Sequence, residues 1–243
     1  MTVAAAPSDT TVTAAGSYDP VAGLLLHRPS RTWTERPLQA RLAKRTIDIV
    51  GAAVLLLVTL PAVLIAAVAI SLTSRGGPLF AQERVGKDGR TFRFYKLRTM
   101  VRDNDDSQHV AYVASLIRGE APTHDGVFKL TNDSRVTTVG RFLRRYSIDE
   151  LPQLANVLLG DMSLVGPRPA LPREVELYDD FARQRLRVKP GITGLWQVSG
   201  RCELTFQDMV ALDLHYASWW SVATDLKILA RTPAAAFSAR GAA

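Results

Sequence analysis

The sequence predicts an α+β protein in which one long apolar helical segment precedes a mainly helical polar domain with a short β-hairpin and surface amphipathic helices. Three observations carry this. Residues 49–72 run for 24 positions without an ionisable side chain. Short alternating stretches at 79–80 and 91–97 flank Gly86 and an Asp88-Gly89 turn signal. Beyond them, apolar residues recur at helical spacing between turns marked by Gly and Pro.

Taken in order, residues 1–40 are rich in Ala, Thr, Ser and Pro without sustained periodicity and read as a flexible tail. The short apolar run 21–26, with Arg28, Arg31 and Trp33, is too brief to cross a bilayer but suits its interface. Residues 41–75 hold the apolar segment. As one helix its 24 residues extend about 36 Å, enough for a hydrocarbon layer of roughly 30 Å. Pro61, at its middle, removes a backbone donor and crowds the preceding turn, so a kink or break is expected there. Arg41, Lys44 and Arg45 precede the segment and Arg75, Arg84 and Lys87 follow it. Basic residues favour the cytoplasmic side, and both flanks are basic, which leaves a kinked span and a re-entrant hairpin of two half-helices both open. Asp48, near Lys44 and Arg45, is positioned to pair with either.

Thirty basic against 23 acidic residues give a net charge of +7. Six of those cations, Arg84, Lys87, Arg90, Arg93, Lys96 and Arg98, fall between Ala81 and Met100, and Arg141, Arg144 and Arg145 form a second cluster. Such surfaces attract phosphorylated molecules, lipid headgroups or nucleic acid, or merely solvate an exposed face. Basic charge alone does not specify nucleic acid, and none is expected as a partner. The single Cys202 excludes an internal disulfide, and no His or Cys spacing suits zinc.

In the polar domain, residues 103–133 read as irregular apart from a short helix at 109–117, followed by helical pieces at 139–145 and 151–159. Ser147-Ile148-Asp149-Glu150 sits between these two pieces. It matches a capping box, or a helix start capped by Asp149 that leaves Pro152 in the first turn. Alternatively, one carboxylate binds a divalent cation that shields a pyrophosphate while the other attacks phosphorus. Gly166-Pro167-Arg168-Pro169 reads as a stiff turn projecting one guanidinium suited to phosphate. The stretch 189–194, KPGITG, reads as a compact turn whose backbone donors could face an anion, although it lacks the order of a P-loop. Helices are expected at 204–216 and 224–230, with Trp219 and Trp220 between them either in the core or at a membrane interface.

Together these residues carry a resemblance. Lys44-Arg45 with Asp48 and the apolar segment, QERVG at 82–86, FYKLRTM at 94–100, SIDELPQLAN at 147–156, GDMSLVGPRP at 160–169 and KPGITGLWQVSG at 189–200 resemble the bacterial sugar transferase family, over about residues 41–232. The resemblance is to its compact, monotopic polyprenyl-phosphate phosphoglycosyl transferases. It implies a re-entrant helix-break-helix at 41–75, a catalytic domain at 76–232 on the cytoplasmic face of the bacterial inner membrane, and a short tail at 233–243. It implies transfer of a sugar-1-phosphate from a UDP-sugar to undecaprenyl phosphate with release of UMP, as the first membrane step of exopolysaccharide or related glycan assembly. Asp149 is then the nucleophile that carries a phosphosugar intermediate, and Glu150 helps to bind Mg2+. Arg144, Arg168 and Lys189 are candidates for substrate phosphate, and Lys44, Arg45, Asp48 and Pro61 form the membrane insertion and bend. Membrane lipids are expected contacts, and a homo-oligomer is compatible with the family. Some relatives have Ser directly before the proline where this chain has Leu60, so a hydroxyl at the bend must come from Thr59. A non-catalytic basic membrane scaffold, with the acidic pair serving only as a cap, is the competing account.

Overall fold

The computed structural model describes residues 36–101, 107–120, 133–199 and 204–237. The tail readings before residue 36, most of the segment 103–133, Cys202 and the last six residues lie outside the described residues.

The apolar segment forms α1 (Leu38–Thr73), a single helix of 36 residues with Pro61 inside it. At 1.5 Å per residue it is about 54 Å long as a straight rod. The expected break is therefore not an interruption of helical structure. Pro61 has no N–H to give to Leu57, and Thr59 Oγ1 donates back to Leu55 O at 2.7 Å. A proline and a back-bonded threonine both favour bending, and Thr59 supplies the hydroxyl that Leu60 lacks beside Pro61.

One face of α1 is covered by the domain. Ala40, Lys44, Asp48, Ala52, Leu56, Thr59, Val63, Ala66 and Ile70, three or four apart, form an unbroken line of buried or half-buried side chains. That spacing places them on one side of a 3.6-residue helix. Val54, Leu57, Val58, Leu64, Ile65, Val68 and Leu72, on the remaining surface, are exposed.

The hairpin is present as β1 (Leu79–Val85) and β2 (Thr91–Leu97), antiparallel with Leu79 opposite Leu97 and Val85 opposite Thr91. Its turn needs left-handed backbone at Asp88 (φ 57°) and Gly89 (φ 79°), which explains the Asp-Gly pair. Next come α2 (Ser107–Ile117), α3 (Thr138–Arg145), a 3₁₀ turn at Ile148–Glu150 and α4 (Gln153–Leu159). The Asn156 side chain, fully buried, completes the free edge of β2: its amide accepts from Tyr95 N at 3.1 Å and donates to Arg93 O at 2.6 Å. One side chain thereby fixes α4 to the hairpin.

A second sheet is absent from the sequence reading. β3 (Ser163–Val165) and β4 (Gly191–Thr193) pair in parallel, Ser163 with Gly191 and Val165 with Thr193. Between them lie α5 (Pro172–Glu176), α6 (Asp180–Arg183) and a 3₁₀ turn at Gln184–Arg187. One backbone donor of KPGITG is taken up inside the fold rather than facing an anion. Gly191 N donates to Pro167 O at 2.8 Å, and the glycines exist because a Cβ on Gly191 would lie 2.0 Å from Gly166 N.

The chain closes with α7 (Leu195–Val198), α8 (Phe206–Trp219), capped by a Thr205/Asp208 box, and α9 (Val222–Phe237). Three apolar clusters hold these parts together. One joins α2, α6, α7 and α8 through Val113, Ala182, Trp196 and Met209. Another joins the first half of α1 to β2, α4, β3, α8 and α9 through Ala52, Phe94, Val157, Leu164, Tyr216 and Ile228. The last joins the second half of α1 to β2 and α3 through Ala66, Ile70, Leu97 and Leu143. Of the two tryptophans, Trp220 lies in the core, 2% exposed and donating to Asp225, whereas Trp219 is 41% exposed and stacks on His215.

Candidate active site

The acidic pair lies on the turn between α3 and α4. Gly140 lets α3 approach the backbone of Thr99, since a Cβ there would stand 2.1 Å from Thr99 O. One turn later Arg144 Nε donates to Thr99 Oγ1 at 2.9 Å, which fixes the guanidinium. Ser147 then takes a left-handed conformation (φ 55°), rare for a residue with a side chain, and sends the chain into the 3₁₀ turn carrying Asp149 and Glu150. Neither capping register is realised. Ser147 makes no side-chain cap bond, and α4 begins after Pro152 without one. Asp149 is 7% exposed, and the preceding Ile148 packs against the cluster formed with Ala66 and Ile70 of α1.

The hairpin brings cations to this turn. Lys96 of β2 is half-buried, with its ammonium 5.2 Å from the centre of the Phe80 ring. Burial first, then the positive fields of Arg144, Arg84 and Arg168, push its pKa down to about 8 against the opposing pull of Asp149. Arg144 is also lowered, mainly by desolvation, with Asp149 the strongest opposing charge. Arg84 of β1 is 6% exposed, stacks on Phe94 at 5.3 Å, and donates to Pro169 O and to Gln82 Oε1, each at 3.1 Å. Burial and the neighbouring Arg168 lower its pKa to about 10, which leaves it cationic at neutral pH.

The loop presenting Arg168 is clamped from behind. Arg185 Nη2 donates to Arg168 O at 3.4 Å, and the same buried guanidinium pairs with Asp213 and receives Tyr178 Oη at 3.0 Å as an acceptor. Glu174 accepts from Leu171 N at 3.0 Å, and Val85 N donates to Ala170 O at 2.8 Å. A pocket opens between loop and turn, lined by Arg84, Phe94, Glu150, Gln153, Arg168, Pro169, Gly191, Ile192 and Gln197. The arrangement sets a pair of carboxylates against four cations, the composition of a site for phosphoryl chemistry.

The family model for the bacterial sugar transferases matches residues 39–239. The chain belongs to that family. The chain is 46% identical over 197 residues to the galactosyl transferase CpsE of Streptococcus agalactiae, covering 79% of this chain and 41% of that protein. It is 38% identical over 216 residues to the exopolysaccharide production protein ExoY of Rhizobium meliloti, covering 88% of this chain and 93% of that one. A UDP-glucose:undecaprenyl-phosphate glucose-1-phosphate transferase of Caulobacter vibrioides is 44% identical over 204 residues, covering 79% of this chain and 68% of the relative. The chain thus spans about two fifths of some curated relatives and nearly the whole of others.

In this bacterial sugar transferase the residues singled out by sequence fall into two groups. Asp149, Glu150, Arg144 and Arg168 come together. Lys189 does not join them: it lies beside Gly160 and Arg45, at the opposite end of α4 from Asp149. There Arg45 donates to Val157 O at 2.7 Å and to Leu158 O at 2.9 Å, the role of a cation at a helix C-terminus. Lys44 and Asp48 are buried in the joint between α1 and the domain. Lys44 Nζ lies 2.7 Å from Asp225 and 3.8 Å from Asp48, whose carboxylate accepts from Ser163 Oγ and Leu164 N. Lys96 and Arg84 were visible only as members of a basic run. The available signal for Lys96 was its place on the face of β2 that also carries Phe92 and Phe94, where alternation predicts an apolar side chain.

Proposed function

We propose that the protein transfers a sugar-1-phosphate from a UDP-sugar to undecaprenyl phosphate, with Asp149 as the nucleophile, as the opening membrane step of exopolysaccharide or related glycan assembly. The observation that carries the reading is that Asp149 is set among Lys96, Arg144 and the Glu150-Arg168 pocket by a turn that packs, through Ile148, on the apolar helix α1. A phosphate group at a membrane surface and a soluble donor can both reach such a turn. Family membership and the similarity to a UDP-glucose:undecaprenyl-phosphate glucose-1-phosphate transferase support the same reaction, and they count against the scaffold account.

In the first step an Asp149 oxygen bonds to the sugar-bearing phosphorus as the phosphoanhydride P–O bond breaks, and UMP leaves with the bridging oxygen. In the second, an oxygen of undecaprenyl phosphate bonds to that phosphorus, the aspartyl P–O bond breaks, and the Asp149 carboxylate returns. Arg144, Arg168 and Lys96 hold the phosphoryl oxygens and stabilise charge that builds between them. Among the described residues no three His, Cys, Asp or Glu side chains gather as a metal centre. Mg2+ needs only one or two carboxylates when substrate phosphates and water complete its shell, so Glu150 at the pocket wall suits it, with Asp149 adjoining. When bound there, Mg2+ neutralises the diphosphate and the departing UMP.

The re-entrant placement of α1 is part of this proposal. Its covered stripe runs along one domain from Ala40 to Ile70 while the opposite surface is apolar and exposed. A helix crossing a bilayer of roughly 30 Å would put its two arms on opposite sides, where one polar domain cannot pack on both. Both ends of α1 then lie on the cytoplasmic face of the bacterial inner membrane.

Two experiments test the proposal. Asp149→Asn is expected to lower UMP release at least about a thousandfold and to abolish a phosphosugar adduct trapped from labelled donor; an adduct of undiminished yield removes Asp149 from the role. For topology, single cysteines at Gln39 and Gly77, in a chain lacking Cys202, are expected to react with an impermeant thiol reagent from the same side. Gly77 suits this because a Cβ there meets nothing within 4 Å, whereas Gly76 has φ +106° and abuts Arg98. Labelling from opposite sides means that α1 spans.

A further inference from the structure

Two residues that line the pocket between Glu150 and Arg168 each carry a buried polar atom that the proposed phosphoryl chemistry does not use. Gln197 is 7% exposed and Arg84 is 6% exposed, yet among the described residues Gln197 Oε1 and Arg84 Nε have no hydrogen-bond partner. Both side chains line the pocket. The orientation of the Gln197 amide follows from its other bond. Its nitrogen donates to Ile192 O at 3.2 Å, and a carbonyl can only accept, so the oxygen is the atom left over. The geometry is likewise fixed for Arg84, whose two terminal nitrogens are held by Pro169 O and Gln82 while Nε is not. A buried acceptor and a buried donor without partners each cost free energy in the isolated protein, which a ligand recovers by satisfying them.

The chemistry of the pair narrows the ligand. A phosphate oxygen would satisfy Arg84 but offers nothing to Gln197 Oε1. A nucleobase presents both donor and acceptor, but base recognition draws on an aromatic face, and the one aromatic ring in the lining, Phe94, is stacked against Arg84. Hydroxyl groups donate and accept at once, and Gln153, a second buried amide, lines the same pocket. We infer that Gln197 and Arg84, with Gln153, form the subsite that reads the hydroxyls of the donor's sugar, so that Gln197 is a specificity-determining residue. The inference rests on the proposed transfer reaction and names which part of the donor occupies this pocket. The sugar is the moiety that stays with the attacked phosphorus, and Glu150 on the same wall adjoins Asp149.

The test uses the full-length protein in detergent with magnesium, undecaprenyl phosphate and its best UDP-hexose, then the same donor lacking one hydroxyl at a time. At least one monodeoxy donor is expected to lose about tenfold or more in kcat/KM, because its missing hydroxyl leaves a buried group unpaired. In Gln197→Met, which keeps the side-chain length, the parent donor is expected to fall by a similar factor and that deoxy donor to fall little further. Inhibition by UMP is expected to be unchanged. If wild type treats every monodeoxy donor alike, the subsite is overturned without reference to any variant. If Gln197→Met weakens UMP as much as the sugar donor, the pocket holds the nucleotide instead. If wild type releases no UMP from any UDP-sugar, the transfer reaction itself fails and the sugar subsite with it, a result distinct from the other two.

Discussion

The two arms of α1 rest on the same domain by different physical means. The first arm adds buried charge to its apolar contact at Ala52: Lys44 sits between Asp225, Asp48 and Val165 O, and Asp225 also accepts from Tyr216 Oη and Trp220 Nε1. The second arm is fastened by small and branched apolar side chains, with Ala66 and Ile70 against Leu97, Leu143 and Ile148. Directional bonds fix where a helix sits along its axis. Apolar contacts fix how closely it packs and permit adjustment. The difference teaches that the first arm locks α1 to the domain, while the second reports on the turn that carries Asp149.

The largest expected effect breaks the polar arm. Asp225→Asn leaves Lys44 buried without its nearest charge and is expected to cost about 3–5 kcal/mol, read as a lower unfolding midpoint in detergent. Turnover per folded molecule is expected to stay close to that of the wild type; a parallel collapse of turnover would erase the distinction between the arms. Next is Ala66→Leu on the apolar arm, which overfills the contact with Leu97 and Leu143 for about 1–3 kcal/mol. It is expected to lower kcat about tenfold, since displacing Ile148 displaces Asp149; unchanged kcat would show that this arm and the turn are mechanically independent.

The smallest effect separates stability from catalysis by pH. With its folded pKa lowered to about 8, Lys96 binds fewer protons in the folded than in the unfolded protein between about pH 8 and its ordinary value of 10.5. Its contribution to stability therefore becomes less unfavourable as pH rises through that window. Activity moves in the opposite direction, because the ammonium that meets phosphate is lost: kcat/KM is expected to fall as pH rises through about 8. Lys96→Arg is expected to move that limb upward, and a limb unmoved by the substitution assigns it to another group.

Much of this framework is written in local patterns. A 24-residue run without charge, an Asp-Gly turn between alternating stretches and the apolar spacing of 204–216 each depend on neighbours in sequence, and the long helix, the hairpin and α8 are each present. The acidic pair was legible too, since SIDE followed by LPQLAN is a local signature. The parallel pairing of β3 with β4 was not, because three-residue strands have no period, and the glycines at 166 and 191 mark a close approach whose partner lies 25 positions away. Nor does a buried arginine differ from a solvated one in a string of letters. Arg84 and Arg185 acquire their roles from Pro169 O, Arg168 O and Asp213, which only tertiary structure supplies. Lys189 shows the same limit in reverse: placed near the site by its motif, it lies at the far end of α4.

The Lys44–Asp225 pair also has a consequence in time. Its members are 181 residues apart in the chain. At a synthesis rate of about 5–20 residues per second, roughly ten to thirty-five seconds pass between the ribosome making the lysine and making its carboxylate. During that interval Asp48, one helical turn away, is the acid nearest to Lys44 within α1. An apolar helix made before the domain it packs on can meet α3, α4 and β3 as they follow, but it receives its buried Asp225 partner only when α9 arrives.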